Sequence, residues 1–195
     1  MKTGLLIAGA VVGLGFLMVL MLVFGYVGWS NGANKFEADI PAQYLQMQNV
    51  YDNGWKQVME ENQISDKYAD QVKDIFQGTM TGRYGANGSV ALFQMIKEDN
   101  PKVDPSLLKK VQESIERFHA QFQGAQTQII ALKQSYQTYV FATTSGRFYN
   151  MIGSYPHIKC GVPAGQPDDY QIVTSGKTQN DFQNHKADQL DLRKK

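Results

Sequence analysis

LKKVQESIERFHAQFQGAQTQIIALKQSYQTYVFAT, from Leu108 to Thr143, is the stretch that decides the fold. Its residues Leu108, Val111, Ile115, Phe118, Phe122, Ala125, Ile129, Leu132, Tyr136, Tyr139 and Thr143 are separated by alternating steps of three and four. That period puts them on one stripe of an α-helix, a sustained heptad seam. The spacing predicts a helix of roughly 40 residues, about 60 Å at 1.5 Å per residue. Asp104-Pro105-Ser106 supplies its start signal, with Asp as cap and Pro at the first position. Gly146 or Pro156 ends it. Gln121, Gln123, Gln126, Gln128, Gln134 and Gln137 leave the other faces solvated. Such a helix cannot bury its seam alone. Either the rest of the chain folds back on it as an antiparallel bundle or hairpin, or a second copy forms a coiled coil with it. The bulk of Phe118, Phe122, Tyr136 and Tyr139 favours the wider bundle.

Upstream, Asn34 to about Glu61 is also helix-patterned. Ile40, Tyr44, Met47, Tyr51, Trp55 and Val58 recur at steps of four, three, four, four and three. Pro41 marks either a helix start capped by Asp39 or a bend in one continuous rod. A second amphipathic stretch, Asp66 to about Phe76, places Tyr68, Val72, Ile75 and Phe76 on one face. The segment from Gly78 to Ser89 reads as a break, and Val90 to Glu98 as a short helix ended by Asn100-Pro101. After Pro156 the periodicity fails. Tyr170 to Val173 reads as a short extended segment and Thr178 to Leu192 as polar helix. The tail is either a packed appendage or a disordered end.

At the N-terminus, GLLIAGAVVGLGFLMVLMLVFGYVGW, Gly4 to Trp29, contains no charge. A bilayer core of about 30 Å needs roughly 20 apolar residues in a helix, and this run is long enough with some tilt. It exceeds a signal-peptide core of about 7–15 residues, which favours a retained anchor over a cleaved leader. Lys2 before the run and Lys35 after it are the flanking basic residues. The proximity of Lys2 favours a cytoplasmic N-terminus, with the C-terminal domain on the non-cytoplasmic side. Gly9 and Gly13 form a small-xxx-small pair, a candidate face for self-association between spans. The boundaries that follow are a flank at 1–3, a transmembrane anchor at 4–29, a bundle domain at 30–156 and an irregular tail at 157–195. The fold class is all-α.

The 195 residues carry 19 Lys+Arg against 18 Asp+Glu, a net charge of +1. That balance gives no case for nucleic-acid binding. Mean hydropathy is -0.36 despite the apolar run, so the remainder is unusually polar. One cysteine, Cys160, rules out an intrachain disulfide. Ser175-Gly176-Lys177-Thr178 matches the end of a P-loop, but Gln171 stands where the motif needs glycine. His119, His157 and His185 lie far apart, and Glu116 with His119 makes an i, i+3 pair of metal-ligand type, read as a solvated surface pair. No catalytic, cofactor or metal site is expected.

Two motifs resemble the LemA family of bacterial membrane proteins. One is Phe148-Tyr149-Asn150-Met151-Ile152-Gly153-Ser154-Tyr155-Pro156 after the long helix. The other is Val50-Tyr-Asp-Asn-Gly-Trp55-Lys-Gln-Val58 in the first helix. The resemblance covers roughly Asn34 to Pro156 and rests on Trp55, Tyr149, Asn150, Ile152 and Pro156. The stretch from Glu61 to Tyr68, the Gly78–Ser89 segment and the tail depart from a typical member, so a divergent branch is implied. The resemblance implies an antiparallel helical bundle on one membrane helix and brings no catalytic residues. Two functions are expected from these features. The first is a membrane-anchored, non-enzymatic scaffold that self-assembles through its span and bundle. The alternative is a membrane-tethered module that captures a protein or ligand partner.

Overall fold

A computed structural model describes residues 2–80, 88–99, 101 and 106–173. The helices are α1 (Lys2–Glu61), α2 (Ala69–Met80), α3 (Gly88–Asp99), α4 (Leu107–Gln137) and α5 (Thr144–Gly153). A 3₁₀ turn, Asp66–Tyr68, precedes α2, and a π-helical turn, Thr138–Ala142, follows α4. Among the described residues there is no strand; Cys160 and Asp168 form an isolated antiparallel bridge. The cap at 104–105, most of the 78–89 break, and the tail motifs at 175–178 and 178–192 lie outside the described residues.

Helix α1 runs through Pro41 without interruption, so Asp39 starts no helix. A proline inside a helix removes one donor and costs about 3 kcal/mol. The same turn carries Ile40, fully buried, with Phe36 packed beside it. Burying side chains of that size stabilises by about 1.5–3 kcal/mol each, which offsets the proline. The first part of α1 is long and apolar enough to cross a membrane, with mean hydropathy 2.5 over its best window and none of that window buried. This is one candidate membrane span near the N-terminus.

The chain divides into two compact units. Among the described residues, the first comprises 2–44 and 129–171, and the second those of 45–128 together with 172–173. In the second unit, Met47, Val58, Met59, Ile64, Val72, Leu92, Ile96, Val111, Ile115, Phe118, Phe122 and Ala125 are buried. Tyr51 packs edge-on against Phe118 and beside Phe122, at ring separations of 6.4 and 5.8 Å. The Phe118 ring lies where a side chain on Gly54 would project, so this approach needs a glycine. Trp55, placed by periodicity on the apolar stripe, is half-buried at its edge. Its Nε1–H donates to Asp52 at 3.3 Å, and Lys56 lies over its ring. Helix α1 ends in a Schellman turn. Gln63 is left-handed (φ 53), its N–H donates to Glu60, and the Ile64 N–H donates to Met59. Ile64 and Met59 are both buried, the apolar contact that accompanies this motif. Glu61 accepts from Ser114 and Arg117, each at 2.7 Å.

His119 belongs to this unit, and its Nε2 is buried with no partner among the described residues. Burial pushes its pKa down, against a smaller opposing pull from Glu116. Below about pH 6.5 the unfolded imidazole therefore binds a proton that the folded one resists. Stability of the second unit is expected to fall as pH drops from about 7 towards 5. His119→Gln should flatten that slope, read from urea midpoints measured across the pH range.

The long helix stops earlier than the sequence predicts, at neither Gly146 nor Pro156. Thr143 is extended (φ -73, ψ 148), and its side chain accepts from the Gly146 N–H at 3.0 Å, which starts α5. The π-helical turn before it is closed by the Thr143 N–H donating to the Thr138 carbonyl. Heptad spacing through Thr143 gives no sign of such a turn. Gly146 is packed against the carbonyls of Tyr139 and Val140, where a Cβ has no room. Gly146→Ala is expected to lower stability by about 1–3 kcal/mol. Thermal melts of the full chain would check it.

Candidate functional site

The first unit is organised around Trp29, the last residue of the apolar run, which is 5% exposed. Tyr139 stacks parallel to it at 6.1 Å, and Tyr155 meets it edge-on at 5.3 Å. Tyr26 and Tyr149 complete the collar at 6.3 and 5.9 Å. The Tyr139 hydroxyl donates to the Trp29 carbonyl at 3.0 Å, across the open surface of Gly32. The Tyr155 hydroxyl donates to Asn34 Oδ1 at 2.7 Å and lies 2.8 Å from Ser30 Oγ. Trp29 Nε1 is buried with no partner among the described residues.

Two turns further along α1, Glu37 gathers three donors. Tyr136 Oη and the His157 backbone N–H each donate to its Oε1 at 2.6 Å, and His157 Nδ1 lies 3.2 Å from Oε2. The Glu37 side chain is 9% exposed. The Tyr136 hydroxyl has its pKa raised, first by burial and then by its bond to Glu37. Lys133 pairs with Asp168 at 2.6 Å and also donates to the Tyr170 carbonyl. These contacts hold the non-helical segment after Pro156 in place. Cys160 and Val162 from that segment are in the core with Ile40, Tyr136 and Val140. Residues 157–171 are thus packed on the first unit.

The residues singled out by sequence fall in separate places. Along the seam, Val111, Ile115, Phe118 and Phe122 are buried in the second unit, with Leu108 half-buried. Ile129 and Tyr136 are buried in the first unit, with Leu132 and Tyr139 half-buried. At Gly9 and Gly13 there is open space where a side chain would project. Tyr149 faces α1 through its hydroxyl against Gly25 and its ring against Tyr26. Ile152 is exposed and Pro156 half-buried.

Asn150 has a specific local task. Its Oδ1 accepts from the Tyr155 N–H at 2.6 Å and its Nδ2 donates to the Tyr155 carbonyl at 3.2 Å. Its own carbonyl accepts from Ser154, which is left-handed (φ 53, ψ 39). The side chain thus clamps the turn that returns Tyr155 to Trp29. Asn150→Ala is expected to cost about 1–3 kcal/mol by releasing both bonds. Amide hydrogen exchange at residues 154–157 should rise while exchange in the second unit stays unchanged.

Chemically, the collar is a packing and positioning arrangement. Cys160 is 1% exposed and burial raises its thiol pKa, the opposite of an activated nucleophile. Among the described residues no group of three His, Cys, Asp or Glu side chains is placed to hold a metal. A cavity of about 460 Å³ lies against the tail, lined among others by Phe141, Tyr155, His157, Pro163 and Gln166.

Sequence reasoning missed Trp29, Glu37, Tyr155, Lys133 and Asp168 as organising residues. One signal was available: Trp29, Ala33, Phe36 and Ile40 continue the three-and-four spacing backwards from the polar part of α1. Trp29 was hidden because the run it ends is uniformly apolar. No family model, curated protein or solved structure matches the chain.

Proposed function

We propose that this protein is a membrane-anchored, non-enzymatic scaffold that self-assembles through its span and its helices. The observation that carries the reading is an apolar helix with none of its span window buried, continuing directly into a folded unit built on Trp29. The partners on α4 and the π-helical turn after it step backwards along α1: Tyr136 meets Phe36 and Glu37, while Tyr139 meets Trp29. In the second unit Phe122 meets Tyr51 and Ser114 meets Glu61. Both sets support an antiparallel, LemA-like arrangement of α1 and α4, with Tyr149, Asn150 and Pro156 as the family-like turn. The bundle would lie on the non-cytoplasmic side. The open surface at Gly9 and Gly13 supports close approach of two spans.

The test is the mass of the full chain extracted in native lipid particles. A homo-oligomer is expected, reduced to monomer by Gly9→Leu with Gly13→Leu. A wild-type chain that stays monomeric as its concentration in the membrane is raised would overturn self-assembly. The cavity of about 460 Å³ favours the second reading, a tethered binding module. Co-purification of one stoichiometric small molecule, lost on His157→Trp with the fold kept, would select it.

A further inference from the structure

Helix α5 carries three large apolar side chains that the folded unit leaves largely exposed. Phe148, Met151 and Ile152 are 51%, 85% and 66% exposed. Their spacing of three and four puts them on one face. Tyr149, beside this face and in edge contact with the Phe148 ring, packs on Gly25 and Tyr26 of α1. Gly25 lies within the apolar run, and its neighbours Phe24 and Val27 are themselves 71% and 48% exposed. The bare face of α5 is therefore continuous with the bare surface of the candidate span. The polar Thr144 and Ser145 are exposed at the start of α5, and Arg147 turns back to donate to the Phe141 carbonyl.

We infer that α5 is an interfacial helix, seated in the headgroup–acyl boundary of the same bilayer that α1 crosses. The occupant of its apolar face is lipid. Gly25 is four residues short of Trp29, about 6 Å along the helix at 1.5 Å per residue. An amphipathic helix lying in a membrane surface buries its apolar face about 5–10 Å deep. The Tyr149–Gly25 contact thus holds α5 at a matching depth. Tyr26, only partly buried, lies at the same level of α1 and is the kind of ring usual there. The span and α5 then fix the first unit to the membrane at two places, which limits its tilt about α1.

The inference rests on α1 being a membrane span, and the experiment separates the two. The full chain with Cys160→Ser receives one cysteine at a time: Val11→Cys in the apolar run, Met151→Cys on α5, and Gln134→Cys on the solvent side of α4. Each is labelled with an environment-sensitive fluorophore and reconstituted into phosphatidylcholine vesicles with or without brominated acyl chains. Emission at 11 and at 151 is expected to fall by about half in brominated lipid, and emission at 134 to stay unchanged. Quenching at 11 with none at 151 would overturn the inference and leave the span intact. No quenching at 11 would overturn the span reading together with this one. A blue-shifted label at 151 without lipid quenching would mean that protein covers the face, and would overturn the inference.

Discussion

Trp29→Ala is expected to destabilise the first unit by about 3–5 kcal/mol, the usual cost of emptying a buried aromatic site. Four tyrosine rings lie on this indole, and its backbone carbonyl holds the Tyr139 hydroxyl. Loss of the ring removes the surface against which the π-helical turn, α5 and the Tyr155 turn all meet. Amide hydrogen exchange at residues 129–171 in lipid should rise by orders of magnitude, with exchange at residues 90–98 and 108–125 nearly constant. Trp29→Phe should recover about half of the loss, because stacking on Tyr139 survives in part. A change below about 1 kcal/mol would mean that the collar does not hold the unit together.

Glu37→Ala is expected to cost about 1–3 kcal/mol, because it strands the buried Tyr136 hydroxyl and removes the acceptor of the exposed His157 N–H. Glu37→Gln keeps an acceptor for Tyr136 and should cost about half as much. The chain has two tryptophans, Trp29 in the first unit and Trp55 in the second. In a Trp55→Phe background, urea unfolding followed by emission therefore reads the first unit by itself. The pH dependence has a definite sign. The folded Tyr136 hydroxyl resists ionisation, while an unfolded tyrosine loses its proton near pH 10. Stability contributed by this group is present below about pH 10 and is lost above it. Glu37→Ala should reduce that alkaline loss without abolishing it, since burial is the larger cause. Equal midpoints for Glu37→Ala and the parent chain would remove Glu37 from the account of how the tail is held.

Much of this arrangement was legible in the residues, and the failures have physical causes. The helical class, the apolar run and the stripe from Leu108 to Tyr139 follow from a period of three and four. The stop at Thr143 did not, because a threonine in a helical pattern gives no warning that it will turn extended and cap the next helix. The passage of α1 through Pro41 was one of two open readings, and the uninterrupted helix Lys2–Glu61 decides it. Gly54 illustrates a different blindness. A motif search fixes on Trp55, yet the close contact with Phe118 belongs to its smaller neighbour. Periodicity cannot rank a glycine, because it carries no apolar weight. At the site, Asn150 was marked only by resemblance, and its clamp on Tyr155 gives that position a mechanical reason. Glu37 and the Lys133–Asp168 pair bridge residues far apart in the chain, and no local pattern announces such pairs.

Membrane anchoring is tested most directly by the intact mass of the chain that stays with membranes after alkaline carbonate extraction. The expected result is a membrane-pellet species whose mass includes Gly4 to Trp29. A species lacking that run, or the full chain released into the supernatant, would contradict anchoring through α1.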